Sequence, residues 1–331
     1  MAEVARRGER SGAAGSAEFW AAAEKDLMAG IDSSRPNSAR VWNHWLGGKD
    51  NYPVDQEAAD AFREAFPPIV DIALHSRYFL HRAVGYLADE AGIGQFLDLG
   101  CGLPTVDNTH EVAQRAAPDA RVVYADRDRL VMAHARALLT SGPHGGCGYV
   151  EADLGDPEKI LAAAAATLDL NRPVAVLMVH VLGHIAEDVQ AQSIIARLME
   201  ALPAGSHLVI CDQTDGTAGV HPSTPPTCGL GRGAGGSRQS SSGPAEDVGA
   251  GGPVPAGLGA GGGSGWSPHA QAVGRYNQTA AEPFHLRSPA RIARFFDGLT
   301  LLAPGVVSCT RWRPELALHP REVEAFGGVG R

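Results

Sequence analysis

Residues 96–102 read Phe-Leu-Asp-Leu-Gly-Cys-Gly, an apolar run that contains one acid and ends in two nearly adjacent glycines. This pattern predicts a buried strand that leads into a glycine turn, where backbone amides can approach a nucleotide-like ligand. A buried strand rarely carries a carboxylate, so Asp98 is a candidate binding residue together with Gly100 and Gly102. The stretch predicts an α/β domain of the doubly wound type.

The sequence after this turn alternates between apolar runs and helical patterns. Parallel strands joined by helices produce such an alternation, and right-handed crossovers place helices on both faces of the sheet. Two short apolar segments flank Pro304-Gly305 and predict an antiparallel hairpin, 299–302 with 306–312, at the sheet edge. The predicted parallel strands cover residues 95–99, 121–125, 148–152, 174–181 and 207–211.

The composition changes along the chain and indicates six segments. Residues 1–17 are small and polar, and residues 216–270 are dominated by Gly, Ser and Pro without an apolar period, which is typical of flexible chain. The predicted segments are a disordered tail (1–17), an N-terminal helical cap (18–92), a ligand-binding core (93–215), a flexible insertion (216–270), a C-terminal completion of the sheet (271–315) and a tail (316–331).

Three carboxylates fall at the carboxyl ends of the first three predicted strands, namely Asp98, Asp126 and Asp153. In a doubly wound sheet the ligand lies in the crevice outside these ends. An acid after the second strand can accept hydrogen bonds from both hydroxyls of a ribose, and an acid after the third can accept one from an adenine amine. Each acid alone could equally cap a helix or a turn, but three in register favour a nucleotide-like ligand.

A nicotinamide-binding enzyme is the main competing interpretation of the glycine turn. Its fingerprint, Gly-x-Gly-x-x-Gly, needs a third glycine where a helix packs against the strand. This chain has Thr105 at that position, preceded by Pro104, and the pair hinders a helix that presents its N-terminus to a pyrophosphate. The form Asp-x-Gly-x-Gly is instead typical of enzymes that bind S-adenosylmethionine, so the nicotinamide-dependent oxidoreductase ranks below them.

The chain resembles a bacterial family of class I S-adenosylmethionine-dependent methyltransferases whose substrates are mostly undefined. The strings Leu-Gly-Gly-Lys-Asp-Asn (46–51) and Gly-Leu-Pro-Thr-Val-Asp-Asn-Thr-His (102–110) are specific, whereas Asp-x-Gly-x-Gly is shared across the superfamily. The resemblance implies a Rossmann-like, mostly parallel sheet, S-adenosylmethionine as the cofactor and a helical cover at the N-terminus. Its matching stretches are Ser38–Tyr52, Phe96–Gln114, Val122–Val131 and Arg287–Pro314.

The predicted cofactor contacts lie at strand ends, on the glycine turn and in the cap. Trp42 and Trp45 flank the cap motif and are interpreted mainly as packing anchors, and Asn108 suits a helix N-cap at least as well as a ligand contact. The predicted cofactor-binding residues are Asp98, Gly100, Gly102, Pro104, Thr105, Asp126, Arg127, Asp153, Leu154, Asn43, Gly47 and Asn51.

The fourth strand ends in His180-Val-Leu-Gly-His184, where methyltransferases of this superfamily place groups that face the methyl acceptor. His184 follows the strand and is the candidate catalytic residue, although a structural role fits the pattern equally well. His180 lies within the apolar run, which favours a buried, hydrogen-bonded histidine. Asp212 ends the fifth strand as a further rim acid or as a turn cap.

Bulk composition limits the partners and the compartment. A net charge of −9 disfavours a nucleic-acid partner, and the longest apolar run is too short for a membrane span. The five cysteines lack Cys-x-x-Cys spacing, which indicates neither a metal site nor a disulfide framework and fits a reduced cytoplasm. The sequence therefore predicts a cytoplasmic methyltransferase with a small-molecule acceptor or, alternatively, a non-catalytic S-adenosylmethionine-binding regulatory module, and leaves the oligomeric state open.

Overall fold

A computed structural model describes residues 31–216, 266–314 and 321–331 of the 331-residue chain. The predicted tail 1–17 and most of the predicted insertion 216–270 lie outside these residues. The described residues form one seven-stranded sheet. Its strands are β1 (Gln95–Leu99), β2 (Arg121–Asp126), β3 (Gly146–Glu151), β4 (Ala175–Val179), β5 (His207–Gln213), β6 (Val307–Ser308) and β7 (Ala325–Gly330).

The strands lie in the order β3-β2-β1-β4-β5-β7-β6. Strands β1 to β5 are mutually parallel, and β7 runs antiparallel to both of its neighbours, β5 and β6. The chain winds outward from β1 to β3 on one side and from β4 to β5 on the other, so the order reverses between β1 and β4. The predicted doubly wound, mostly parallel sheet is confirmed, and its switch point is where such folds bind ligands.

Successive strand residues point to opposite faces, which produces two apolar layers. Phe96 packs in a cluster with α1 to α5 and α8, whereas its neighbour Leu97 packs with α6, α7 and α9. The helices are α1 (Ser38–Trp45), α2 (Pro53–Ala65), α3 (Ile69–Asp89), α4 (Thr109–Ala116), α5 (Arg129–Leu138), α6 (Pro157–Ala164), α7 (Asp188–Glu200), α8 (Pro268–Tyr276) and α9 (Pro289–Arg294).

Helices α1 to α3 lie within the predicted cap and are tied together by a buried ion pair. The Arg40 Nε atom of α1 lies 2.7 Å from the Asp55 Oδ2 atom of α2. The Asp55 carboxylate also accepts hydrogen bonds from the backbone N–H groups of Asn37 and Tyr52. A buried pair tolerates its desolvation only when its remaining polar atoms are bonded, as they are here. Trp45 anchors the same helix, since it is buried and donates to the Ala59 carbonyl.

The C-terminal region differs from the prediction in two places. Residues 316–331, predicted as a tail, contain β7, which pairs with β5 from Leu208↔Gly330 to Gln213↔Ala325. The predicted hairpin of 299–302 with 306–312 is also wrong, because β6 pairs with β7 and Leu301 bridges to Gly330. The strand Ala-Phe-Gly-Gly-Val-Gly is poor in the β-branched residues that mark strands. Glycine is nonetheless required there, since a Cβ on Gly327 would lie 2.5 Å from the Ile210 carbonyl oxygen.

Within the described ranges, no helix combines the length and apolar character needed to cross a membrane.

Candidate active site

A cleft of about 360 Å³ opens at the carboxyl ends of β1, β2 and β4, beneath the cap helices. Its size lies in the range of small-molecule sites. One wall is the α3 face formed by Ala73, Ser76, Arg77 and Leu80, and α1 contributes Trp42. The spacing of the α3 residues is that of one helical face. The cleft is therefore built between the cap and the switch point of the sheet.

The glycine turn after β1 forms the floor of this cleft. Gly100 and Gly102 have φ values of +67° and +65°, in the left-handed region that favours glycine. A Cβ atom on Gly100 would lie 2.4 Å from Val181 Cγ2, whereas one on Gly102 would meet no atom within 4 Å. Gly100 is thus required for close packing against the segment after β4, and Gly102 leaves its backbone open to the cleft.

Asp126, at the end of β2, is held by two backbone donors. Its carboxylate accepts hydrogen bonds from the N–H groups of Gly102, at 3.1 Å, and of Asp128, at 2.9 Å. Burial nevertheless raises the pKa of Asp126 to about 6, against these two bonds. Ligand-binding sites often contain a carboxylate that lines the cleft and whose ionised form is destabilised by burial.

Asp98 and Arg77 place opposite charges at the glycine-turn end of the cleft. Asp98 is buried, its Oδ2 atom accepts from Thr109 Oγ1 at 2.6 Å, and burial raises its pKa. Arg77 on α3 donates to the Asp107 carbonyl at 3.1 Å. Burial lowers the pKa of Arg77, while the nearby Asp98 carboxylate acts in the opposite direction. Arg77 was not predicted from the sequence, although a charged residue on the buried side of a long helix was the available signal.

Arg127 crosses the other end of the cleft, where β2 and β3 finish. It lies 3.0 Å from Asp153 Oδ2 and also pairs with Glu282, a residue that follows α8. Glu282 was likewise missed, since it is a single acid in a segment without a strand or helix pattern. The apolar wall behind this triad is formed by Ala152, Leu154, Ile160, Ala186 and Ile194.

Two histidines border the cleft beyond β4. His184 Nδ1 lies 3.1 Å from the Pro283 carbonyl oxygen, so Nδ1 carries the proton and Nε2 is the free acceptor. Burial lowers the pKa of His184, which favours its neutral form. His180 is buried and bonded to Ser76 Oγ at 2.6 Å, in accord with its interpretation as a buried histidine, although it also reaches the cleft and stacks on Trp42.

A family model described as S-adenosyl methyltransferase matches residues 24–224 and 262–331. The chain belongs to this family. A DUF574 family protein from Streptomyces avermitilis MA-4680 is 34% identical, over 91% of this chain and 98% of that one, with a TM-score of 0.71. A candidate methyltransferase from Thermobifida fusca YX is 33% identical, over 90% and 95%, with a TM-score of 0.70. No curated protein matches the chain.

The protein is thus an S-adenosylmethionine-dependent methyltransferase with a class I Rossmann-like sheet, and S-adenosylmethionine is its cofactor. The residues around the cleft fit this molecule. Asp126 offers a carboxylate suited to the ribose hydroxyls, and the apolar wall behind Leu154 suits an adenine ring. Arg77 and Asp98 offer a cation and an anion for the carboxylate and ammonium groups of the methionine end.

The methyltransferase cleft brings together most of the residues predicted from sequence. Three of the predicted residues, Pro104, Gly47 and Asn51, do not line it. Asn51 instead donates to Asn43 Oδ1 at 2.8 Å and so orients that amide. The predicted residues that line the cleft are Asn43, Asp98, Gly100, Gly102, Thr105, Asp126, Arg127, Asp153, Leu154 and His184.

Asn108 caps α4 in a reciprocal capping box with Glu111. It accepts from the Thr105 N–H at 3.0 Å and so holds the loop that follows the glycine turn. The N-cap interpretation of Asn108 is therefore confirmed, and Asn108 does not line the cleft.

Proposed function

We propose that this methyltransferase acts on a small-molecule acceptor that binds between the cap and the end of β4. The observation that carries the proposal is one continuous cleft, which the glycine turn, the strand-end acids, Trp42 and the two histidines all line. Its volume of about 360 Å³ lies in the range of small-molecule sites. The acidic net charge of −9 supports an acceptor other than nucleic acid, and the free cysteines among the described residues support a cytoplasmic setting.

The charges along the cleft support one orientation of the cofactor. Asp126 and Asp153 receive the adenosine part, with the ring against Leu154 and Arg127 over it. Arg77 and Asp98 receive the zwitterionic amino-acid part, because a guanidinium pairs with a carboxylate in a two-bond fork. The remaining part of the cleft, near Trp42 and His184, is then left for the acceptor.

When bound, the cofactor supplies a methyl group that its sulfonium charge has already activated. The protein then contributes mainly by placing the acceptor atom in line with the methyl group and the sulfur, since orientation removes much of the entropic barrier. Trp42 and other residues of the cap helices line the cleft, and they limit the contact of the reacting atoms with water. His184 offers its Nε2 atom as an acceptor for a polar hydrogen of the substrate.

The reaction can be tested by incubating the protein with S-adenosylmethionine labelled on its methyl group and a bacterial metabolite extract. We expect label to enter the small-molecule fraction and S-adenosylhomocysteine to accumulate in the same amount. Calorimetric titration with S-adenosylhomocysteine checks that the same protein preparation binds the demethylated cofactor. Tight binding without any labelled product would instead favour the regulatory S-adenosylmethionine-binding module.

A His184→Ala variant is expected to slow label transfer about 10-fold or more while leaving the affinity for S-adenosylhomocysteine within about twofold. The reason is that His184 faces the part of the cleft left for the acceptor. Initial rates at saturating cofactor and calorimetric titration measure the two quantities. His134→Ala is a matched control, because that histidine lies on α5 and bonds to the Leu130 carbonyl outside the cleft lining. Equal rates of label transfer in the wild type, His184→Ala and His134→Ala would show that His184 has only a structural role.

A further inference from the structure

Ser76, His180 and Asp212 form a chain of polar side chains beneath the acceptor part of the cleft. The Ser76 Oγ atom of α3 lies 2.6 Å from His180 Nε2. On the far side of the ring, His180 Nδ1 lies 3.8 Å from Asp212 Oδ1 at the end of β5. The three residues are 1%, 8% and 1% exposed, and Ser76 and His180 border the cleft. The orientation proposed for the cofactor uses none of them.

Two atoms of this chain have no hydrogen-bond partner among the described residues, namely His180 Nδ1 and Asp212 Oδ2. Buried polar atoms are almost always bonded, so an unpaired nitrogen that faces a carboxylate calls for an explanation. A ring that gains a proton supplies one. The imidazolium has two N–H donors, one for Ser76 Oγ and one directed at Asp212.

The backbone of His180 places the ring next to the glycine turn. His180 has a φ of +60°, a left-handed conformation that non-glycine residues rarely adopt and that recurs at functional sites. The following residue, Val181, contacts Gly100 so closely that no side chain fits between them. The histidine is thereby fixed where the glycine turn meets the part of the cleft near Trp42.

Two of the groups packed around the ring attract a positive charge. Trp42 stacks on it at 4.5 Å between ring centres, and a tryptophan face attracts a cation. The Asp212 carboxylate attracts the same charge, although Arg287, 3.8 Å from Asp212 Oδ2, shares that carboxylate. Cys211 lies against Ser76 and remains a neutral thiol, because burial raises its pKa well above the usual value.

We propose that Ser76, His180 and Asp212 form a proton relay for an acceptor that carries a hydroxyl group. The acceptor O–H donates to Ser76 Oγ, and the Ser76 O–H donates to His180 Nε2. As the acceptor oxygen forms its bond to the methyl carbon, the carbon–sulfur bond breaks and its electron pair stays on sulfur. The acceptor proton passes to Ser76 and the serine proton passes to His180, whose positive charge faces Asp212. This inference rests on the proposed function, whose acceptor site it specifies.

A hydroxyl acceptor is the class that needs such a relay. A neutral amine attacks through its lone pair and can release its proton to water after the transfer. A neutral hydroxyl would become a strongly acidic oxonium, so its proton must leave as the bond forms. A buried relay at the acceptor side therefore matches O-methylation.

The direction of the relay can be tested without knowing the acceptor. We would record nitrogen chemical shifts of the histidine-labelled, full-length protein saturated with S-adenosylhomocysteine, and assign His180 by its loss in His180→Gln. We expect the neutral ring to carry its proton on Nδ1, which faces Asp212, and to keep Nε2 as the acceptor. In Asp212→Asn, the fraction of neutral rings that carry the proton on Nδ1 should fall several-fold. A neutral ring that carries its proton on Nε2 would overturn the proposal, because Nε2 would then have no lone pair to accept the proton of Ser76.

The second test uses the labelled-methyl assay with the metabolite extract. His180→Gln and Ser76→Ala should each slow transfer about 100-fold, with S-adenosylhomocysteine affinity within about twofold of wild type, and Ser76→Thr should retain most of the rate because it keeps the hydroxyl. The labelled product should release its methyl group on ether cleavage, as expected of a methylated hydroxyl. Unchanged rates in His180→Gln, or a product methylated on nitrogen, would overturn the relay. Absence of transfer by the wild type would count against the proposed function, whatever the nitrogen shifts show.

Discussion

An Arg77→Met variant is expected to bind S-adenosylhomocysteine about 100-fold more weakly than the wild-type protein, while its affinity for methylthioadenosine stays unchanged. The two ligands share the adenosine and the sulfur, and only the first carries the amino-acid group. Arg77 lines the glycine-turn end of the cleft beside Asp98, where that group is proposed to lie. Without the guanidinium, the carboxylate of the ligand loses its two charge-assisted hydrogen bonds. Calorimetric titration of both ligands gives the two ratios.

Arg115→Met is the matched control for this experiment. Arg77 and Arg115 both hold Asp107, the first through its carbonyl and the second through its carboxylate at 2.6 Å. Arg115 does not line the cleft, so its loss disturbs the same loop without touching the proposed site. If both variants lose affinity equally, the effect of Arg77 comes from the loop. If Arg77→Met weakens both ligands alike, the carboxylate does not bind there.

An Asp126→Asn variant is expected to lose about 100-fold in affinity for S-adenosylhomocysteine. The affinity falls because an amide cannot accept from both ribose hydroxyls as a carboxylate does. The NH2 group of asparagine also cannot accept one of the two backbone hydrogen bonds, from Gly102 and Asp128, that hold the wild-type carboxylate. Calorimetric titration measures the affinity, and thermal unfolding without ligand checks that the variant is folded.

The pH dependence follows from the raised pKa of Asp126. The folded protein releases this proton near pH 6 and the unfolded chain near pH 3.8, so the folded state holds more protons between these values. Its stability therefore falls as the pH rises from about 4 to 6, and the cost persists above that range. Ligand affinity should show the opposite trend, because only the ionised carboxylate accepts from both hydroxyls. It should drop as the pH falls below about 6.

Asp119→Asn is a suitable control, because it makes the same charge change at an exposed position before β2. It should change neither the affinity nor its pH dependence. An Asp126→Asn protein whose affinity keeps the wild-type pH profile would show that another group controls binding.

The five parallel strands could be predicted from the sequence because each one is marked by a short, continuous segment of the chain. The run ending at Leu99 is fully buried, and fully buried parallel strands read as continuous apolar segments. The acids that follow these strands were readable for the same reason, since topology brings the ends of parallel strands together. Asp126 and Asp153 consequently both line the cleft where the prediction expected them.

The residues that were missed depend on packing between distant segments. Half of the residues of strand β7 are glycine, so its sequence resembles a turn. One of these glycines is explained only by the close approach of β7 to β5, which leaves no room there for a side chain. Arg77 enters the site because α3 packs across the end of the sheet, and Glu282 enters because the segment after α8 returns to Arg127. The contact of His180 with Asp212 joins β4 to β5 and could not be read from either strand alone.

The pairing of β5 with β7 has a consequence for how the protein reaches its native state. Gln213 pairs with Ala325, so this one ladder closes a loop of about 110 residues. The entropic cost of closing a loop grows only slowly with its length, but the chain must overcome this cost before the ladder contributes any stability. Non-local strand pairing slows folding for this reason. Among the ladders of the described sheet, the one between β5 and β7 joins the residues farthest apart in the chain, so we expect it to be among the slowest to form.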